Sequence, residues 1–478
     1  MDGTHQLKLR LSDKWRVRND NDYTIVYESG PSSSYSIVLS STEAVLIPFL
    51  DGNTSRIELK KIWQALYGES AKSDHLFEST INSLCNKHSI ISETGNVSPS
   101  LKTNRERLLP NLNTYNIELA ESRYNKPLHI AIAPTERCST DCIYCCVQRK
   151  KQKEVPLEKW ISLFNELQEH EIFKVDIGGG DLFTRKDAIQ IIAEMVRREF
   201  VFFLSTKTYI SPDKARSLSA LGIGKESLPP YKIRPIQLSI DSVIPEIAEQ
   251  LSGRKNQFNR ILQSAINLIS VGVIPRIRYV LTSKNLVNLE EFIYTFAKVG
   301  VTNITFSTYF KSYYRPNNEL FIPTDKKEWI KSEIERMRLM FRSINIFYIE
   351  GLDDIEPWKK SEISWKCRER CAAGRDTFLI KSNGDVIPCE QFPYEDKYVL
   401  GNVFKDGLIE TWESNKILDF LYPNKSKFEG KQCFKCNMFE LCHRKKGVCY
   451  RDAIFAYNDL YEAPPSCPYQ TRPHYKRS

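Results

Sequence analysis

Four cysteines fall within ten residues of this chain, in the stretch RCSTDCIYCC at 137–146, although the 478 residues contain only 13 cysteines. Three of them, Cys138, Cys142 and Cys145, are spaced x3 and then x2. Thiolates bind zinc or iron–sulfur clusters. A zinc ion prefers paired knuckles that complete a tetrahedron, so three thiols would leave it one ligand short. The spacing therefore favours an iron–sulfur cluster with three protein ligands and one iron open to another molecule.

The composition is that of a globular protein in a reducing compartment. Hydrophobic residues make up 41% of the chain and charged residues 27%, which is ordinary for such proteins. No apolar run approaches the roughly 18 residues that span a bilayer, and MDGTHQLKLRLSDKW lacks the apolar core of a secretion signal. We therefore expect a cytoplasmic protein with no membrane partner, and the odd number of cysteines argues against a disulfide framework.

The net charge of +9 is concentrated near the end of the sequence. Residues 1–110 hold 13 Lys/Arg and 13 Asp/Glu, whereas residues 425–478 hold 11 Lys/Arg and 5 Asp/Glu. A basic segment can bind nucleic acid. This one also contains five cysteines, and its cations would offset the charge of metal-bound thiolates. We therefore expect metal here and no nucleic-acid partner.

Residues 1–100 have the pattern of a small α+β domain. YTIVYES and YSIVLS, separated by GPSSS, predict a hairpin. STEAVLIPFLDG predicts a short helix that Gly52 ends, and the capping box Ser55–Glu58 predicts a second helix that ends at Gly68. A third helix would carry Cys85 on its apolar face as a core residue, and SIIS predicts a closing strand. Strands with three helices also describe a winged helix. The polar residues 101–126 predict a linker.

From residue 127 to 350 the sequence alternates between strands and helices. The predicted strands are HIAIA, KVDIG, VFFLS, IQLSI, RIRYVL and NITFS. About six β/α units predict a parallel sheet that closes into a partial barrel, with functional side chains at the C-terminal ends of its strands. In residues 351–478 the alternation gives way to loops rich in Cys, Gly and Pro. We expect bound metal rather than an apolar core to hold this region together.

The cysteine loop after the first barrel strand resembles that of the radical S-adenosylmethionine (SAM) family. The resemblance implies that Cys138, Cys142 and Cys145 hold a [4Fe–4S] cluster whose open iron chelates SAM. One electron would then cleave SAM to a 5′-deoxyadenosyl radical, which abstracts hydrogen from the substrate. Flavodoxin or ferredoxin would donate the electron. Cys146 lies outside the motif and is expected to be a neighbour, not a ligand.

The same resemblance implies further SAM contacts. Tyr144 would lie against the adenine. VDIGGGDLF occupies the position of the family's Gly-Gly-Glu stretch, so Gly179, Gly180 and Asp181 would approach the SAM amino group. The carboxylate of Asp181 is one methylene shorter than the family's Glu. Strand-end residues resemble the family's ribose and carboxylate contacts, although they could equally be caps; they are Ser205, Ser239 and Asp241.

Eight cysteines near the end of the chain resemble the SPASM extension of radical SAM enzymes, which holds two auxiliary [4Fe–4S] clusters. CAAGRDTFLIKSNGDVIPC is C-x12-G-x4-C, and CFKCNMFELC is C-x2-C-x5-C. The resemblance implies that one cluster takes Cys367, Cys371, Cys389 and Cys449, and the other Cys433, Cys436, Cys442 and Cys467. The x6 gap before Cys449 is longer than the family's usual x3. A zinc ribbon at Cys433 and Cys436 is the alternative.

Residues 1–100 resemble PqqD-like domains, which hold the leader of a ribosomally made precursor peptide as an added strand. Together these resemblances cover nearly the whole chain. They imply a peptide-modifying radical SAM/SPASM enzyme with domains at 1–100 and 127–350, a linker at 101–126, and a cluster domain at 351–478. Its expected product is a thioether from a precursor cysteine. Alternatives are a carbon–carbon cross-link, epimerisation or formylglycine formation of the sulfatase-maturing type. An iron–sulfur transcription regulator is the rival from another class, which SAM cleavage would exclude.

Overall fold

The computed structural model describes residues 8–12, 14–28, 30, 35–93, 105–148, 153–225, 228, 232–310, 312, 314–350 and 362–470. The chain divides into two compact units. The first contains residues 1–126 and 227–233, and the second contains residues 127–226 and 234–478. Within the described ranges, we find no helix that combines the length and the apolar character needed to cross a bilayer.

The described residues of the first unit form two antiparallel three-stranded sheets and five α-helices. One sheet has the order β2-β3-β4 and the other β5-β1-β6. The strands are β1 (Lys8–Leu11), β2 (Trp15–Asn19), β3 (Thr24–Glu28), β4 (Ser36–Val38), β5 (Asp51–Ser55) and β6 (Ile91–Glu93). The helices are α1 (Ser41–Ala44), α2 (Arg56–Tyr67), α3 (Ala71–Asn82), α4 (Arg105–Leu108) and α5 (Glu118–Ser122).

The local signals of the first unit are largely confirmed. β3 and β4 form the predicted hairpin, with Val26 opposite Ile37. The capping box Ser55–Glu58 opens α2, and Gly68 follows its end at φ +78°. Cys85 packs against the apolar core, as expected. The first helix is shorter than predicted: α1 stops at Ala44, because Pro48 has no amide to donate to the Ala44 carbonyl.

The segment that the sequence predicts to be a linker packs on the first unit from residue 105 onward. The Asn116 amide donates to the Asp22 carbonyl (2.7 Å), and the Asn125 amide donates to the Tyr23 hydroxyl (2.7 Å). Leu108 joins the unit's apolar core. The polar composition therefore marks a segment fixed by hydrogen bonds rather than a free spacer. Residues 101–104 lie outside the described residues.

The second unit is built around one ten-stranded sheet of order β13-β12-β11-β10-β9-β8-β7-β14-β15-β16. Neighbouring strands from β7 to β13 are parallel, β14 is parallel to β7, and β14–β16 form an antiparallel extension. The strands are β7 (Ile130–Ile132), β8 (Lys174–Ile177), β9 (Val201–Thr206), β10 (Ile236–Ser239), β11 (Arg276–Leu281), β12 (Asn303–Thr308), β13 (Asn345–Ile349), β14 (Leu379–Ile380), β15 (Asp385–Ile387) and β16 (Gly401–Asn402).

Helices connect these strands and follow them. They are α6 (Leu157–Glu169), α7 (Ala188–Arg197), α8 (Pro212–Ala220), α9 (Pro245–Ser252), α10 (Gln257–Ile269), α11 (Leu289–Lys298), α12 (Thr324–Met340), α13 (Glu362–Lys366), α14 (Val403–Asp406), α15 (Leu408–Trp412), α16 (Asn415–Leu421) and α17 (Tyr450–Tyr457). The partial barrel is confirmed, and its first six strands are the six predicted. β13 escaped prediction because alternate residues of this edge strand are exposed.

The barrel strand β11 presents one apolar and one polar face. On β11, Ile277, Tyr279 and Leu281 are buried in the main core, whereas Arg276 and Arg278 point to the other face. Period-two alternation sends successive side chains to opposite faces of a strand. The helices cover the apolar face, and the inner face is left to polar groups.

The expectation that residues 351–478 lack an apolar core is wrong for the first part of that region. Phe378, Ile380, Val386, Trp412 and Leu421 belong to the same core cluster as the barrel. The elements of this part are too short to show a period, since β14–β16 have two or three residues and the helices α15 and α16 have five and seven. Beyond Leu421 the chain forms short helical turns and loops, as expected.

Candidate active site

The cysteine loop begins where β7 ends, at the C-terminal edge of the parallel sheet. Thr140 Oγ1 lies 3.3 Å from Cys138 Sγ and 3.4 Å from Cys142 Sγ. The Cys145 amide donates to the Cys142 carbonyl (3.1 Å). A negative charge on Cys145 also raises the pKa of the Cys142 thiol, which shows that the two are close. The three thiols singled out in the sequence are therefore neighbours in the structure.

The loop is fixed through its backbone. The Asp141 amide donates to the Ser252 carbonyl (2.8 Å) and the Ile143 amide to the Leu251 carbonyl (3.1 Å), both at the end of α9. Arg315 binds the Asp141 carboxylate (2.6 Å) and the Cys142 carbonyl (3.0 Å). These bonds hold the loop in place without using the thiols, which stay available as ligands.

Tyr144, Asp241 and Lys207 form a buried polar trio beside the thiols. The Tyr144 hydroxyl donates to Asp241 Oδ2, and the Lys207 ammonium donates to both groups. Burial raises the pKa of Tyr144 well above its usual value. Burial alone would lower the pKa of Lys207, but the charges of Asp241, Cys142 and Cys138 raise it. Lys207, which the sequence analysis missed at the end of FLSTK, therefore places a positive charge where thiolates are needed.

The glycines of VDIGGGDLF allow two loops to pack closely. A Cβ at Gly180 would lie 2.1 Å from the Arg137 carbonyl oxygen. One at Gly179, where φ is +88°, would lie 2.6 Å from Ala133 Cβ. The Gly180 amide donates to the Thr135 carbonyl (2.8 Å). The glycines thus fit the loop after β8 against the start of the cysteine loop, and their predicted approach to SAM stays a prediction.

The carboxylate of Asp181 binds the protein itself. Its Oδ1 accepts from the Phe183 amide (3.1 Å), and its Oδ2 accepts from the Thr206 hydroxyl (2.7 Å) and from the amides of Lys207 (2.9 Å) and Thr208 (3.0 Å). A carboxylate has about four acceptor sites. This side chain therefore holds the turn after β9 that carries Lys207, and its predicted contact with the SAM amino group stays a prediction.

Ser205 and Ser239 lie together on the inner face of the barrel. Gln237, which the sequence analysis did not single out, donates to the hydroxyls of both serines (3.0 and 3.3 Å). Arg278 lies on the same face and donates to Ser307 (3.3 Å). Only the alternation of the strands could have pointed to Gln237 and Arg278. The SAM contacts proposed for the serines remain predictions.

A pocket lies between the cysteine loop and the strands β14 and β15. Within it, the Lys381 ammonium pairs with the buried Glu136 carboxylate (3.1 Å) and lies 4.7 Å from the Tyr394 ring centroid. Glu390 forms no hydrogen bond or ion pair with another described residue. Burial raises the pKa of Cys146 to about 12. The lining residues are Cys146, Val147, Gln148, Gly179, Tyr314, Leu379, Lys381, Ile387, Glu390, Phe392 and Tyr394.

Four C-terminal thiols form one group. Burial raises the pKa of Cys433 to about 12, and the charges of Cys467, Cys436 and Cys442 act in the same direction. Burial also raises the pKa of Cys467, and the charges of Cys442 and Cys436 raise it further. The structure thus brings together the four residues that the sequence analysis assigned to one auxiliary cluster. Burial disfavours thiolates without a partner, and a bound cluster would supply that partner.

The other set of thiols is brought together only in part. Burial raises the pKa values of the Cys389 and Cys449 thiols. The charge of Cys371 raises both pKa values further, so the three thiols are neighbours. The Cys371 amide donates to the Lys446 carbonyl (2.8 Å), which ties this residue to the loop before Cys449. Cys367 and Cys449 are both exposed, but no described interaction joins Cys367 to the other three. The structure therefore favours Cys449, the residue with the unusual spacing, over Cys367.

These groups suit a cluster better than a single ion. Among the described residues, no three His, Cys, Asp or Glu side chains are close enough to hold one metal ion. In a cubane cluster each thiolate binds a different iron, so its ligands stand farther apart than those of one zinc ion. The cysteine types and their grouping therefore fit iron–sulfur clusters and argue against the zinc ribbon.

Sequence comparisons agree with this chemistry. Residues 132–298 match the radical SAM superfamily, and residues 371–437 match SPASM, an iron-sulfur cluster-binding domain. The mycofactocin maturase MftC of Mycolicibacterium smegmatis is 24% identical over 368 residues, which cover 73% of this chain and 85% of that protein. The antilisterial bacteriocin subtilosin biosynthesis protein AlbA of Bacillus subtilis is 23% identical over 420 residues, or 86% of this chain and 84% of that protein.

Solved structures show the same fold. Streptococcus suis SuiB bound to S-adenosylmethionine superposes with a TM-score of 0.66 at 17% identity, covering 96% of this chain and 99% of SuiB. SuiB bound to its precursor peptide SuiA gives a TM-score of 0.64. The family implies a [4Fe–4S] cluster and SAM in the barrel, and the SPASM domain implies further iron–sulfur clusters. The chain is therefore a radical SAM enzyme that carries a SPASM domain.

Proposed function

We propose that this enzyme matures a ribosomally made precursor peptide and installs a thioether from a precursor cysteine to a carbon of the same peptide. A carbon–carbon cross-link, epimerisation or formylglycine formation remains the alternative. The support for a peptide substrate is the relatedness to the mycofactocin maturase MftC and to the bacteriocin biosynthesis protein AlbA, and the fold shared with SuiB, which was solved with its precursor peptide SuiA. We further propose that the enzyme works in the cytoplasm, where thiols stay reduced.

The observation that carries the proposal is the pocket beside the cysteine loop. It extends from Cys146 and Gly179, next to the thiols of the barrel, to Glu390, which directly follows Cys389. A substrate there would lie between the barrel cluster and an auxiliary cluster. The aromatic side chains of Tyr314 and Tyr394 and the aliphatic Leu379 line this small pocket, about 30 Å³ in volume, together with the charged Lys381 and Glu390.

The proposed cofactors are three [4Fe–4S] clusters and SAM. Cys138, Cys142 and Cys145 would hold the barrel cluster, which supplies the electron for reductive cleavage of SAM. The other two clusters would use the two C-terminal sets of four cysteines described above. Lys207 holds a positive charge next to the barrel thiols, in a hydrogen-bonded trio with Tyr144 and Asp241. We propose flavodoxin or ferredoxin as the electron donor.

We also propose that the first unit, with the domain at residues 1–100, holds the leader of the precursor. β4 is an edge strand of its sheet among the described strands. In an antiparallel pair, backbone groups alternate between facing the partner strand and facing away. The Leu39 and Glu28 amides bond across the β3–β4 pair, so the backbone groups of Ser36 and Val38 point away from β3. An extended peptide could add to this edge.

The test uses the reduced holoenzyme, SAM and the peptide encoded beside the gene. We expect 5′-deoxyadenosine and a peptide that has lost two hydrogens, with the new bond located by fragmentation mass spectrometry. A thioether should block alkylation of one cysteine, whereas a carbon–carbon link leaves all cysteines reactive. Triple replacement of Cys138, Cys142 and Cys145 by Ala is the control and should abolish both products. SAM cleavage with every neighbouring peptide left unchanged would contradict peptide maturation.

A further inference from the structure

The indole of Trp365 makes a polar contact to a cysteine of the C-terminal region. Its Nε1–H donates to Cys442 Sγ across 3.3 Å. Both residues are buried, with 3% and 7% of their surfaces exposed, and belong to one apolar cluster. Tryptophan has one donor and no acceptor, and a buried indole N–H normally finds a partner. Here that partner is a thiol sulfur.

The ring of Trp365 is fixed from the other side. The guanidinium of Arg368 lies 4.1 Å from the ring centroid. Arg368 also donates to the carbonyl of Trp365 (2.7 Å) and to that of Gly447 (2.8 Å). The direction of the indole N–H is therefore set by packing and by hydrogen bonds, not by the thiol alone.

Trp365 connects the two sets of cysteines. It lies on α13 two residues before Cys367, which the sequence assigns to the cluster of Cys371, Cys389 and Cys449. Its N–H, however, reaches Cys442, which lies with Cys433, Cys436 and Cys467. No signal in the sequence links these positions, because 77 residues separate the donor from the sulfur.

A hydrogen bond to a ligating sulfur changes the electronic properties of a cluster. Reduction adds negative charge to the cluster and its thiolates, and a donor aimed at one sulfur stabilises that added charge. The effect is strong where little water competes, as it is at this buried site. Removal of the donor therefore lowers the reduction potential.

We propose that Trp365 raises the reduction potential of the cluster held by Cys433, Cys436, Cys442 and Cys467, relative to that of the neighbouring auxiliary cluster. The inference rests on the proposed function, which places a cluster at these thiols. Trp365 is a positioning residue that acts through Cys442 and touches no substrate. Because of its N–H, an electron shared between the two auxiliary clusters would reduce the cluster of Cys442 in preference to its neighbour.

The test is Trp365→Phe in the reconstituted holoenzyme, which keeps an aromatic ring and removes the donor. We expect unchanged iron content, and one auxiliary signal that titrates at a more negative potential in redox titrations followed by electron paramagnetic resonance. The matched control is Trp160→Phe. Trp160 is also fully buried, and its indole nitrogen has no hydrogen-bond partner among the described residues. The variant Trp160→Phe should leave the reduction potentials of all clusters unchanged.

A second measurement needs no variant. Holoenzyme labelled with ¹⁵N in the tryptophan indole should show a hyperfine coupling between one auxiliary cluster and an indole nitrogen. An equal potential in Trp365→Phe, or an absent coupling, would overturn the role of Trp365 while the clusters stand. A parent enzyme with no auxiliary signal would instead overturn the ligand assignment, and this inference would fall with it.

Discussion

The ammonium of Lys207 lies 2.5 Å from Oδ2 of Asp241 beside the cysteine loop, and the two side chains are 13% and 2% exposed. Breaking a buried pair by removing one partner costs about 3–5 kcal/mol, because an uncompensated charge stays behind. We expect Asp241→Asn to lower the free energy of unfolding by an amount in that range, and Lys207→Met to do the same. The double variant should lose less than the sum of the two, as denaturant unfolding under anaerobic conditions would measure.

An exposed ion pair provides the control for the double-mutant cycle of Lys207 and Asp241. Lys331 and Glu328 lie 3.2 Å apart at the surface of α12, with side chains 43% and 84% exposed. Exposed pairs contribute about 0–1 kcal/mol. Glu328→Gln should therefore leave the unfolding midpoint nearly unchanged. Additive losses in the Lys207 and Asp241 double variant would mean that these two side chains are not coupled.

Two glycines that lie two residues apart, Gly178 and Gly180, should respond differently to alanine. At Gly180 the new Cβ would meet the Arg137 backbone carbonyl at 2.1 Å, directly before the cysteine loop, and neither chain can yield locally. Gly180→Ala should therefore displace the loop and strongly reduce both cluster content and 5′-deoxyadenosine formation. At Gly178 the new Cβ would meet the flexible end of Glu390 at 2.2 Å, which can rotate away.

Gly178→Ala is thus the matched control for the loop and a probe of the pocket. It should retain SAM cleavage in the absence of peptide but slow peptide modification, because Glu390 must leave its place in the pocket lining. Chromatographic assay of 5′-deoxyadenosine and mass spectrometry of the peptide separate the two effects. Equal loss of SAM cleavage in both variants would contradict the packing argument.

Local patterns in the sequence were sufficient to predict the first six barrel strands and the chemistry of the cysteine loop. The capping box at Ser55 depends only on neighbours in sequence, and alternation along β11 reveals both faces of a barrel strand. The cysteine spacing indicates a cluster because ligands on one loop must be close in space. These signals are short-range, so a single sequence displays them.

Tertiary contacts account for what the sequence did not reveal. Lys207 is a functional candidate only because β9 and β10 are neighbours in the sheet and bring it to Asp241. Asp181 matches a family position, yet the amides of the turn after β9 occupy its oxygens. The strands β14–β16 are stabilised by the barrel core that they join, and two-residue strands have no period of their own.

Two cysteines of the same predicted set should differ in importance. Cys367 and Cys449 are both exposed, but the charge of Cys371 acts on the thiols of Cys389 and Cys449, and no described interaction joins Cys367 to these three. Cys449→Ala should remove one cluster, which is about four iron atoms of about twelve per chain. Cys367→Ala should retain most of that iron, because Cys367 stands apart from this group. Iron and sulfide analysis after anaerobic reconstitution measures both.

Two further variants, Cys371→Ala and Cys85→Ala, provide the reference values for iron loss. Cys371→Ala removes a thiol from the middle of the group and should lose as much iron as Cys449→Ala. Cys85→Ala, in the core of the first unit, should lose none. Equal iron loss in Cys367→Ala and Cys371→Ala would show that Cys367 is a full ligand after all.

Acidification should destabilise the second unit through His129. Burial lowers the pKa of His129 to about 4, from 6.5 for the free side chain, while Asp176 opposes this shift and Lys174 adds to it. Between these values the unfolded chain binds a proton that the folded chain does not, so stability rises with pH. The contribution is fully present above about pH 6.5 and is lost as the pH falls towards 4.

The measurement compares the unfolding midpoints of the parent and of His129→Gln at pH 7.5 and pH 5.5. The variant should lose less stability on acidification than the parent, because it no longer carries this titrating group. His75→Gln, at an exposed position on α3, should behave like the parent. Acid-labile clusters affect all three proteins alike, so the difference isolates His129. Parallel pH profiles of parent and His129→Gln would refute the assignment.

The edge of β4 offers a test of leader binding in the full-length enzyme. Val38 lies opposite Ile25 in the β3–β4 pair, at a position whose backbone groups point away from β3. Val38→Pro therefore removes an outward amide without removing a bond of the existing ladder, a position where strands tolerate proline. We expect the affinity for the precursor's leader to fall at least about tenfold, or about 1.4 kcal/mol, as fluorescence anisotropy at moderate salt would show.

Val38→Ala separates the amide from the side chain. It keeps the backbone N–H, so it should bind the leader much more tightly than Val38→Pro if the peptide adds to this edge as a strand. Neither variant should change SAM cleavage, because the thiols lie in the other unit. Residues 1–110 carry no net charge, so duplex DNA should not compete with the leader. Tight DNA binding by the parent without leader binding would favour a winged helix instead, and only the radical chemistry of the second unit would then stand.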